Sequence, residues 1–227
     1  RDLLELLGVD ARRITVLYPG VEARFRPITD GRSLERVGVR YDLPARFVLG
    51  LGTIQPRKNY PTLVRAFSAL LRAEGEVANL SNLHLVIAGA KGWMHEDTFA
   101  AIADEGLTER VHYLGFVRDD DLPALYNQAA AFAFPTLYEG FGLPVLEAMA
   151  CGTPVVCADN SSLPEVVGDA ALMVPAASEA DLAAALLQIL TDLPIRERLV
   201  RDGQRRAQRF TWEKAARQLL KLYESLV

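Results

Sequence analysis

Short runs of apolar residues alternate along this chain with segments of helical periodicity, and no other feature constrains its fold as strongly. Each run is nearly continuous in Val, Ile, Leu, Phe and Ala, which is typical of strands buried on both faces. The predicted strands are Arg46–Leu51, Leu83–Ala88, Arg110–Leu114, Ala131–Phe134, Pro154–Cys157 and Ala171–Val174. The predicted helices between them are Tyr60–Glu74, Glu96–Glu105, Asp119–Gln128, Leu143–Ala150 and Leu163–Val167. This order predicts an α/β fold, with a parallel sheet of about six strands and helices on both faces.

The two ends of the chain interrupt this alternation. The first 45 residues contain a short apolar helix, a predicted short strand at Ile14–Leu17 and a Pro19-Gly20 turn. After the last predicted strand come three helices in succession, Ser178–Thr191, Pro194–Arg209 and Thr211–Leu226. The last helix has Thr211 as its predicted N-cap. Its apolar residues recur at helical spacing: Trp212, Ala215, Ala216, Leu219, Leu220, Tyr223 and Leu226. Because nothing else in the sequence would cover this face, and because the chain begins without Met, we expect a further domain of a longer polypeptide.

The composition excludes several classes of protein. Half of the 227 residues are hydrophobic and 24% are charged, which is typical of a globular protein. The formal net charge of −4 disfavours a nucleic-acid partner. No apolar run approaches the roughly 18 residues of a membrane span. Cys151 and Cys157 match neither a disulfide framework nor a common zinc spacing, so we expect a reducing, cytoplasmic compartment.

A loop with two adjacent cations follows the first predicted strand, where open parallel sheets bind their ligands. The loop begins at Gly50 and continues through Gly52-Thr53 to Arg57-Lys58. Gln55 stands where a dinucleotide-binding fingerprint requires its third Gly, and the proline and cations that follow also argue against that motif. Side chains of Arg57 and Lys58 could instead neutralise a diphosphate. The alternative is a solvated cationic pair in a surface loop.

Two glutamates eight residues apart follow the fourth predicted strand. Glu139 precedes a Gly-rich turn, and Glu147 lies in the helix that begins after it. Gly140 and Gly142 permit a tight backbone turn and the close approach of a ligand. The free N–H groups at the start of this helix form an anion site. Alternatively, Glu147 only compensates the helix dipole and Glu139 is an exposed loop acid.

Residues 139–156 resemble the signature of the group 1, or family 4, retaining glycosyltransferases: a Glu, seven residues and a second Glu. The segment from Gly52 to Asn59 is similar to the donor-phosphate loop of that family, in a form common among mannosyltransferase-like members. Residues 18–27 resemble the linker that enters the second domain, and residues 210–213 resemble the start of the terminal helix. The resemblance therefore extends over nearly the whole chain.

The resemblance implies the GT-B architecture, in which two Rossmann-like domains face each other across a cleft. This chain resembles the C-terminal half. It implies that residues 1–45 are the end of the N-terminal domain and the linker. It further implies that residues 46–209 are the Rossmann-like domain that binds the nucleotide-sugar donor, and that residues 210–227 are a helix packing back on the absent domain. The implied partners are thus a nucleotide-diphosphate sugar and an N-terminal acceptor domain, with no nucleic acid.

The same resemblance implies roles for individual residues. Arg57 and Lys58 hold the donor diphosphate and, with Glu139, are the catalytic candidates. Glu139 contacts the sugar hydroxyls near the reacting centre, and Glu147 accepts hydrogen bonds from the ribose. The remaining donor-binding candidates are Gly52, Thr53, Gly89, Lys91, Phe116, Val117, Gly140, Phe141, Gly142 and Leu143. Among them, residues 116 and 117 line the base pocket, residues 89 and 91 border the nucleotide, and backbone N–H groups of residues 141–143 meet the diphosphate or the sugar.

One departure concerns the donor-phosphate loop. Many members of the family have an Arg directly after the Gly of this loop, whereas this chain has Thr53 there and a loop one residue shorter. Arg57 is the candidate to supply the missing charge. Fixed cations and a helix N-terminus would stabilise the charge that develops on the leaving diphosphate, so no metal and no cofactor is strictly required.

The function implied is retaining transfer of a hexose to a glycan or a lipid-linked acceptor in polysaccharide biosynthesis. GDP-mannose is favoured as donor by the form of the phosphate loop, and UDP-sugars stay open. The alternatives are a non-catalytic nucleotide-sugar-binding module and another GT-B enzyme, such as a nucleotide-sugar epimerase. On its own, this half is expected to bind nucleotide but to be inactive.

Several other polar features are given structural explanations. Asp119-Asp120-Asp121 precedes a helix, so capping and dipole compensation are favoured over metal binding. His84, His95 and His112 show no ligand spacing, and Cys151 is expected to be a small buried thiol.

The second helix of the tail is rich in arginine. The six arginines are Arg196, Arg198, Arg201, Arg205, Arg206 and Arg209. They predict a solvated helix face. The alternative is a contact with an anionic membrane surface, which would make this a cytoplasmic protein bound at the inner face of the membrane.

Overall fold

The computed structural model describes residues 2–72 and 80–226, and it contains one six-stranded sheet. The strands are β1 Phe47–Leu51, β2 His84–Ala88, β3 Val111–Gly115, β4 Ala131–Phe134, β5 Val155–Ala158 and β6 Leu172–Val174. Their order in the sheet is β3-β2-β1-β4-β5-β6, and each neighbouring pair is parallel. The predicted α/β fold with a Rossmann-like parallel sheet is therefore confirmed.

Helices cover both faces of the sheet. The helices of the described residues are α1 Asp2–Glu5, α2 Gly31–Arg40, α3 Tyr60–Arg72, α4 Glu96–Asp104, α5 Leu122–Gln128, α6 Leu143–Ala150, α7 Leu163–Val167, α8 Glu179–Thr191, α9 Leu193–Ala207 and α10 Trp212–Glu224. Most predicted bounds agree with these within one or two residues. The predicted helix Tyr60–Glu74 ends in residues 73 and 74, which lie outside the described residues. The predicted helix Asp119–Gln128 begins three residues later than expected, because residues 119–121 form a turn.

The strands divide their side chains between two hydrophobic clusters. Because successive side chains of a strand point to opposite faces, Val48 packs with α3, α4 and α8, whereas Leu49 packs with α5, α6 and α7. The central strands β1, β4 and β5 are buried almost throughout, as their continuous apolar runs predict. The edge strands β3 and β6 are only partly buried.

The start of the chain differs from the prediction in two ways. The strand predicted at Ile14–Leu17 is wrong: this segment has no regular secondary structure and pairs with no strand of the described chain. Instead, the chain that follows packs against the beginning of α10, where the Val21 N–H donates to the carbonyl of Phe210 over 3.0 Å. Helix α2 was not predicted, because only three of its ten residues, Leu34, Val37 and Val39, have apolar side chains, and only Val37 is buried.

The three C-terminal helices have different surroundings. Helix α8 packs on α3 and α9 packs on α6, so both belong to the α/β domain. Helix α10 begins as predicted, since the Thr211 hydroxyl accepts from the Lys214 N–H over 3.2 Å. No residue of α10 is buried, and Leu220 and Tyr223 are more than half exposed. The apolar face of α10 is therefore uncovered in this structure.

The order of the strands positions the candidate site. From β1 the chain moves outward through β2 to β3, and it then returns to place β4 on the other side of β1. Ligands of open α/β sheets bind at such a switch point, outside the carboxyl ends of the strands. The loops after β1 and β4 therefore meet there, although more than 80 residues separate their side chains in the sequence.

Candidate functional site

The loop after β1 turns sharply and buries a lysine. Residues Pro56–Lys58 form a single 3-10 turn, and Asn59 ends it in the left-handed region at φ 57°. The Asn59 side-chain amide donates to the carbonyls of Pro135 and Ala176, over 3.0 and 2.7 Å, which ties this loop to the loops after β4 and β6. As a result, the Lys58 side chain is 10% exposed while Arg57 is 37% exposed.

One carboxylate oxygen of Glu139 contacts both cations of this loop. Its Oε1 atom lies 2.6 Å from Nζ of Lys58 and 2.6 Å from Nη1 of Arg57. The backbones of the two loops are joined as well, since the Leu137 N–H donates to the carbonyl of Arg57 over 2.8 Å. The structure thus brings together the three catalytic candidates, and the cluster has a net charge of +1 in its ordinary ionic forms.

The buried ammonium of Lys58 is only partly compensated. Burial lowers the pKa of Lys58, and the hydrogen bond to Glu139 offsets this effect only in part. Its Nζ atom also lies 4.5 Å from the centre of the Phe134 ring, whose face attracts a cation. An additional anion at this position would therefore be stabilised by Lys58.

The loops after β1 and β2 approach each other so closely that only glycine fits. Gly52 has φ +137° and Gly89 has φ +143°, both in the region that disfavours side chains. A Cβ atom at Gly89 would lie 2.1 Å from the carbonyl oxygen of Gly52. A Cβ atom at Gly52 would lie 3.0 Å from Cε of Lys58. Both predicted glycines are thus needed to hold the loop that carries the cations.

The other candidates from the first half of the sheet lie further from the Glu139 cluster. Thr53 is exposed beside Gly92, and the Lys91 ammonium lies over the Phe99 ring at 4.6 Å. After β3, Phe116 is 72% exposed, whereas the Val117 side chain is buried in the core. Of that pair, only Phe116 therefore has a side chain at the surface.

Glu147 has a different set of partners from Glu139. The Tyr126 hydroxyl donates to its Oε2 atom over 2.9 Å. Burial raises the pKa of Glu147, while Tyr126 and the nearby Arg24 lower it in part. Gly142, the N-cap of α6, has φ +103°, and a Cβ atom added there would lie 2.7 Å from Cδ2 of Leu163. The carboxylates of Glu139 and Glu147 therefore contact different side chains.

The loop of Glu139 is also held by a segment for which the sequence predicted no functional role. Asn160, Ser161 and Ser162 follow β5, and each side chain bonds to the loop after β4. The sequence carried a signal, because these residues follow a predicted strand at the same edge of the sheet as the two glutamates. By composition alone they indicate only a turn and a helix cap.

The acidic run before α5 requires a correction. Asp121 does not cap α5 with its side chain, contrary to the prediction. Its buried carboxylate instead accepts from Arg40 over 2.7 Å and from the Tyr41 hydroxyl over 2.9 Å. Burial raises the pKa of Asp121, but these hydrogen bonds outweigh burial and leave it lowered.

The histidines and cysteines are part of the packing. The Nε2 atom of His112 lies 2.9 Å from Nδ1 of His84, and His95 bonds to the carbonyl of Gly92. Cys151 is buried, as expected. Throughout residues 2–72 and 80–226, no group of three or more His, Cys, Asp or Glu side chains is arranged to hold a metal ion.

The six arginines between residues 196 and 209 were predicted to form a solvated helix face, but two of them bond to the core of the domain. Arg196 donates to the carbonyl of Ala130 over 3.0 Å, and Arg206 donates to the carbonyls of Val166 and Glu165. Arg198, Arg201, Arg205 and Arg209 are exposed. Over the described part of the chain, no helix combines the length and apolar character needed to cross a membrane.

Comparisons with known proteins agree on one family. The family model described as "Glycosyl transferases group 1" matches residues 35–206. The chain is 36% identical over 227 residues to O-antigen chain mannosyltransferase B of Escherichia coli, with 99% of this chain and 58% of that protein covered. It is 37% identical over 236 residues to D-inositol 3-phosphate glycosyltransferase of Salinispora tropica, with 100% and 49% covered.

A solved structure shows the same fold. Sucrose-phosphate synthase from Thermosynechococcus elongatus is similar with a TM-score of 0.80 and 28% identity, over 99% of this chain and 55% of that chain. The chain thus spans about half the length of the curated relatives that it matches.

Proposed function

This chain belongs to the group 1 glycosyltransferases, and from that premise we propose that it is the donor-binding half of an enzyme with the GT-B architecture. The reaction is the transfer of a hexose from a nucleotide-diphosphate sugar to a glycan or lipid-linked acceptor. The observation that carries this proposal is the contact of Arg57, Lys58 and Glu139 at the switch point of the sheet.

The cations of the β1 loop suit the leaving group of such a reaction. As the bond from the sugar to the diphosphate breaks, negative charge develops on the diphosphate. Lys58 supplies a compact, buried charge, and Arg57 can present a planar fork to two oxygens. Positive groups that are already in position stabilise developing charge without reorganisation. Transfer with Arg57 and Lys58 in place needs no metal.

The two glutamates suit two other parts of the donor. Glu139, beside the cations, is assigned to the sugar hydroxyls next to the bond that breaks. Glu147, with Tyr126, is assigned to the ribose hydroxyls. The backbone N–H groups between them, at residues 140–143, lie at the start of α6 and suit a diphosphate or sugar oxygen. Because the two glutamates are assigned to different parts of the donor, the paired-carboxylate scheme of retaining hydrolases does not apply to them. We propose retention of the anomeric configuration from the resemblance of residues 139–156 to the signature of the retaining family.

The donor we favour is GDP-mannose. Its support is the form of the phosphate loop, Gly52-Thr53 through Arg57-Lys58, and the mannosyltransferase from Escherichia coli among the relatives. The exposed Phe116 is assigned to the base pocket.

We propose that residues 46–209 form the donor domain and that a second domain covers the apolar face of α10. The length of the relatives and the exposure of Trp212, Leu220 and Tyr223 support this arrangement. In the whole enzyme, residues 1–45 and α10 would join the two domains. The enzyme is proposed to act in the cytoplasm, where the exposed arginines of α9 could meet the anionic inner face of the membrane.

The test uses the full-length protein. Calorimetric titration with GDP, UDP and ADP, each with and without Mg²⁺, is expected to give micromolar binding of one nucleotide that needs no metal. Lys58→Met should reduce this affinity strongly, whereas Lys214→Met, on the exposed face of α10, should not. If the folded wild-type protein binds none of the three nucleotides, or if Lys58→Met binds as well as wild type, the donor site is not where we place it.

Binding without transfer would favour the non-catalytic alternative. The full-length protein is therefore also incubated with GDP-mannose and mannose-containing acceptors, and the product is analysed by NMR for its anomeric configuration. Transfer with retention is the expected result.

A further inference from the structure

The loop between β5 and α7 bonds to the loop of Glu139 through three consecutive side chains. The Asn160 side-chain amide donates to the carbonyl of Thr136 over 3.0 Å. The Ser161 hydroxyl accepts from the Glu139 N–H over 3.0 Å. The Ser162 hydroxyl lies 3.0 Å from the carbonyl oxygen of Glu139 and 2.9 Å from that of Phe141. We call residues Asn160, Ser161 and Ser162 the serine clamp.

The hydrogen bonds of the clamp form a chain with one direction. The Glu139 N–H donates to Ser161, and the Ser161 hydroxyl donates to Oδ1 of Asn160 over 3.1 Å. The amide of Asn160 then donates to Thr136, which belongs to the same loop as Glu139. Each hydroxyl and amide is used in the role that its chemistry allows, so Asn160 and Ser161 act as one unit, and Ser162 bonds separately to the same loop.

Ser162 is placed where a serine would normally cap its own helix. It precedes α7, and an N-cap hydroxyl usually accepts from an N–H of the first helical turn. Here it makes no such bond, and its backbone has helical rather than extended torsion angles. Its hydroxyl is directed instead at the carbonyls of Glu139 and Phe141. The interaction with the loop of Glu139 has therefore replaced a stabilising interaction within α7.

Ser161 also adopts an unfavourable conformation. Its φ of 50° lies in the left-handed region, which residues other than Gly, Asn and Asp rarely occupy. This conformation brings its Oγ atom to the Glu139 N–H. Strained residues of this kind persist where the surroundings hold them, and they occur often at functional sites.

The clamp fixes the backbone of a residue whose side chain is held by Arg57 and Lys58. Under the proposed function, a bound donor diphosphate competes with the Glu139 carboxylate for these two cations. Once that happens, Glu139 is held by the clamp at its backbone and by the Thr136 hydroxyl, which lies 3.3 Å from its Oε1 atom. We propose that Ser161 and Ser162 are positioning residues, which keep the Glu139 carboxylate aligned with the sugar after the donor has bound.

This proposal rests on the proposed function and predicts a specific split between kinetic parameters. The variants are Ser162→Ala, which removes the hydroxyl, and Ser161→Gly, which removes the hydroxyl but tolerates the left-handed backbone. In the full-length enzyme, kcat for transfer should fall about tenfold to a hundredfold, the range expected when a reacting group shifts by about 1 Å. The Kd for the nucleoside diphosphate, which Arg57 and Lys58 determine, should stay within about twofold of wild type.

Two comparisons separate positioning from a general structural role. Ser162→Thr retains a hydroxyl and should restore kcat. Ser178→Ala removes a hydroxyl that does cap its helix, because Ser178 accepts from the Asp181 N–H. It should lower the thermal unfolding midpoint and leave kcat unchanged. An unchanged kcat in both clamp variants would overturn the proposal, as would a fall in kcat that is matched by weaker nucleotide binding.

Amide hydrogen exchange tests the role of the serine clamp independently of the transfer reaction. Peptides that contain the Glu139 N–H should be protected in wild type and exchange at least about tenfold faster in Ser161→Gly, because local opening is no longer opposed by that bond. Equal exchange in the two proteins would overturn the proposal. Loss of nucleotide binding by the wild-type protein would instead contradict the proposed function, so the two failures are distinguishable.

Discussion

The carboxylate of Glu139 lies 2.6 Å from the ammonium of Lys58, and the two residues are 81 positions apart in the sequence. The same Oε1 atom contacts Arg57, so one oxygen partly neutralises both cations in the unliganded site. A diphosphate that enters this site has to compete with a charge that belongs to the protein. Under the proposed function, we therefore expect Glu139 to weaken donor binding while it supports transfer.

Replacing Glu139 with Gln should separate these two effects. Without the carboxylate, Arg57 and Lys58 are free to bind the diphosphate, and the Kd for the preferred nucleoside diphosphate should fall roughly tenfold, or about 1.4 kcal/mol. Transfer should fall by about a hundredfold or more, because the group beside the reacting sugar has lost its charge. Titration calorimetry and initial rates measure the two quantities.

The matched control for this change is Glu179→Gln. Glu179 forms an ion pair with Arg65 on the surface, so its loss should change neither quantity. Weaker nucleotide binding by Glu139→Gln would mean that the carboxylate organises the cations rather than competing for them.

Gly89→Ala should disrupt the loop after β1, which carries Arg57 and Lys58. A methyl group there would overlap the carbonyl oxygen of Gly52, and the residue would be strained at φ +143°. We expect the free energy of unfolding to fall by about 2 kcal/mol or more, because the backbone from Gly52 to Lys58 must shift. For the same reason, we expect the nucleotide affinity to fall. Urea denaturation and calorimetry provide the measurements.

Gly31→Ala is the control for that substitution. Gly31 begins α2, and a Cβ atom there would meet no atom within 4 Å. Stability should stay the same or rise slightly, since alanine restricts the unfolded chain. Equal stability of Gly89→Ala and wild type would show that the two loops do not approach each other as described.

Glu147 should make stability depend on pH. Burial raises the pKa of Glu147 above its ordinary value of 4.5, so the folded state holds the proton more tightly than the unfolded state. Its contribution to stability is therefore fully present below pH 4.5 and is lost as the pH rises through the raised pKa. Glu147→Gln has no proton to lose, so it stays neutral at every pH, and its side-chain carbonyl can still accept from Tyr126. Between pH 4.5 and pH 7, the free energy of unfolding of the wild type should therefore fall relative to that of the variant.

Urea denaturation across this pH range measures the difference. Two curves that run parallel from pH 4.5 to pH 7 would mean that Glu147 titrates alike in the folded and unfolded states. The same variant should bind the nucleotide more weakly if Glu147 contacts the ribose.

The two cysteine thiols should be unreactive until the protein unfolds. Cys151 and Cys157 are buried, and burial raises the pKa of each thiol to about 12. Because the thiolate is the reactive form, labelling by a disulfide reagent at pH 8 should be slow in the native protein and complete in denaturant. Ala177→Cys, at an exposed position, should add one thiol that reacts at once. Fast labelling of both native thiols in the wild type would contradict the burial described.

The sequence predicted the elements of the sheet well because their signals are local. A continuous apolar run of four or five residues indicates a buried strand wherever it lies, and the predicted bounds of β4, α6 and α7 agree with the structure. The prediction was wrong at Ile14–Leu17, since a strand also requires a neighbour to pair with. It missed α2, because this helix has only three apolar side chains and buries only one of them.

The residue types of the candidate site were also predicted from the sequence, while their partners were not. The spacing of Glu139 and Glu147 and the pair Arg57-Lys58 are local patterns, and the roles assigned to them stay predictions. Asp121 was assigned to a helix cap but bonds to Arg40, which lies 81 positions away. Nothing in the sequence around Ser162 indicated that its hydroxyl would turn from its own helix toward Glu139.

The sequence by itself determined the strands, most of the helices and the glycines that allow tight turns, because these depend on neighbouring residues. The tertiary structure decided which loops meet. By placing β4 beside β1 and β5 beside β4, it brought the Glu139 loop between the cations of one neighbour and the serine clamp of the other. Strand order depends on how the helices pack on both faces of the whole sheet, and no local pattern records it.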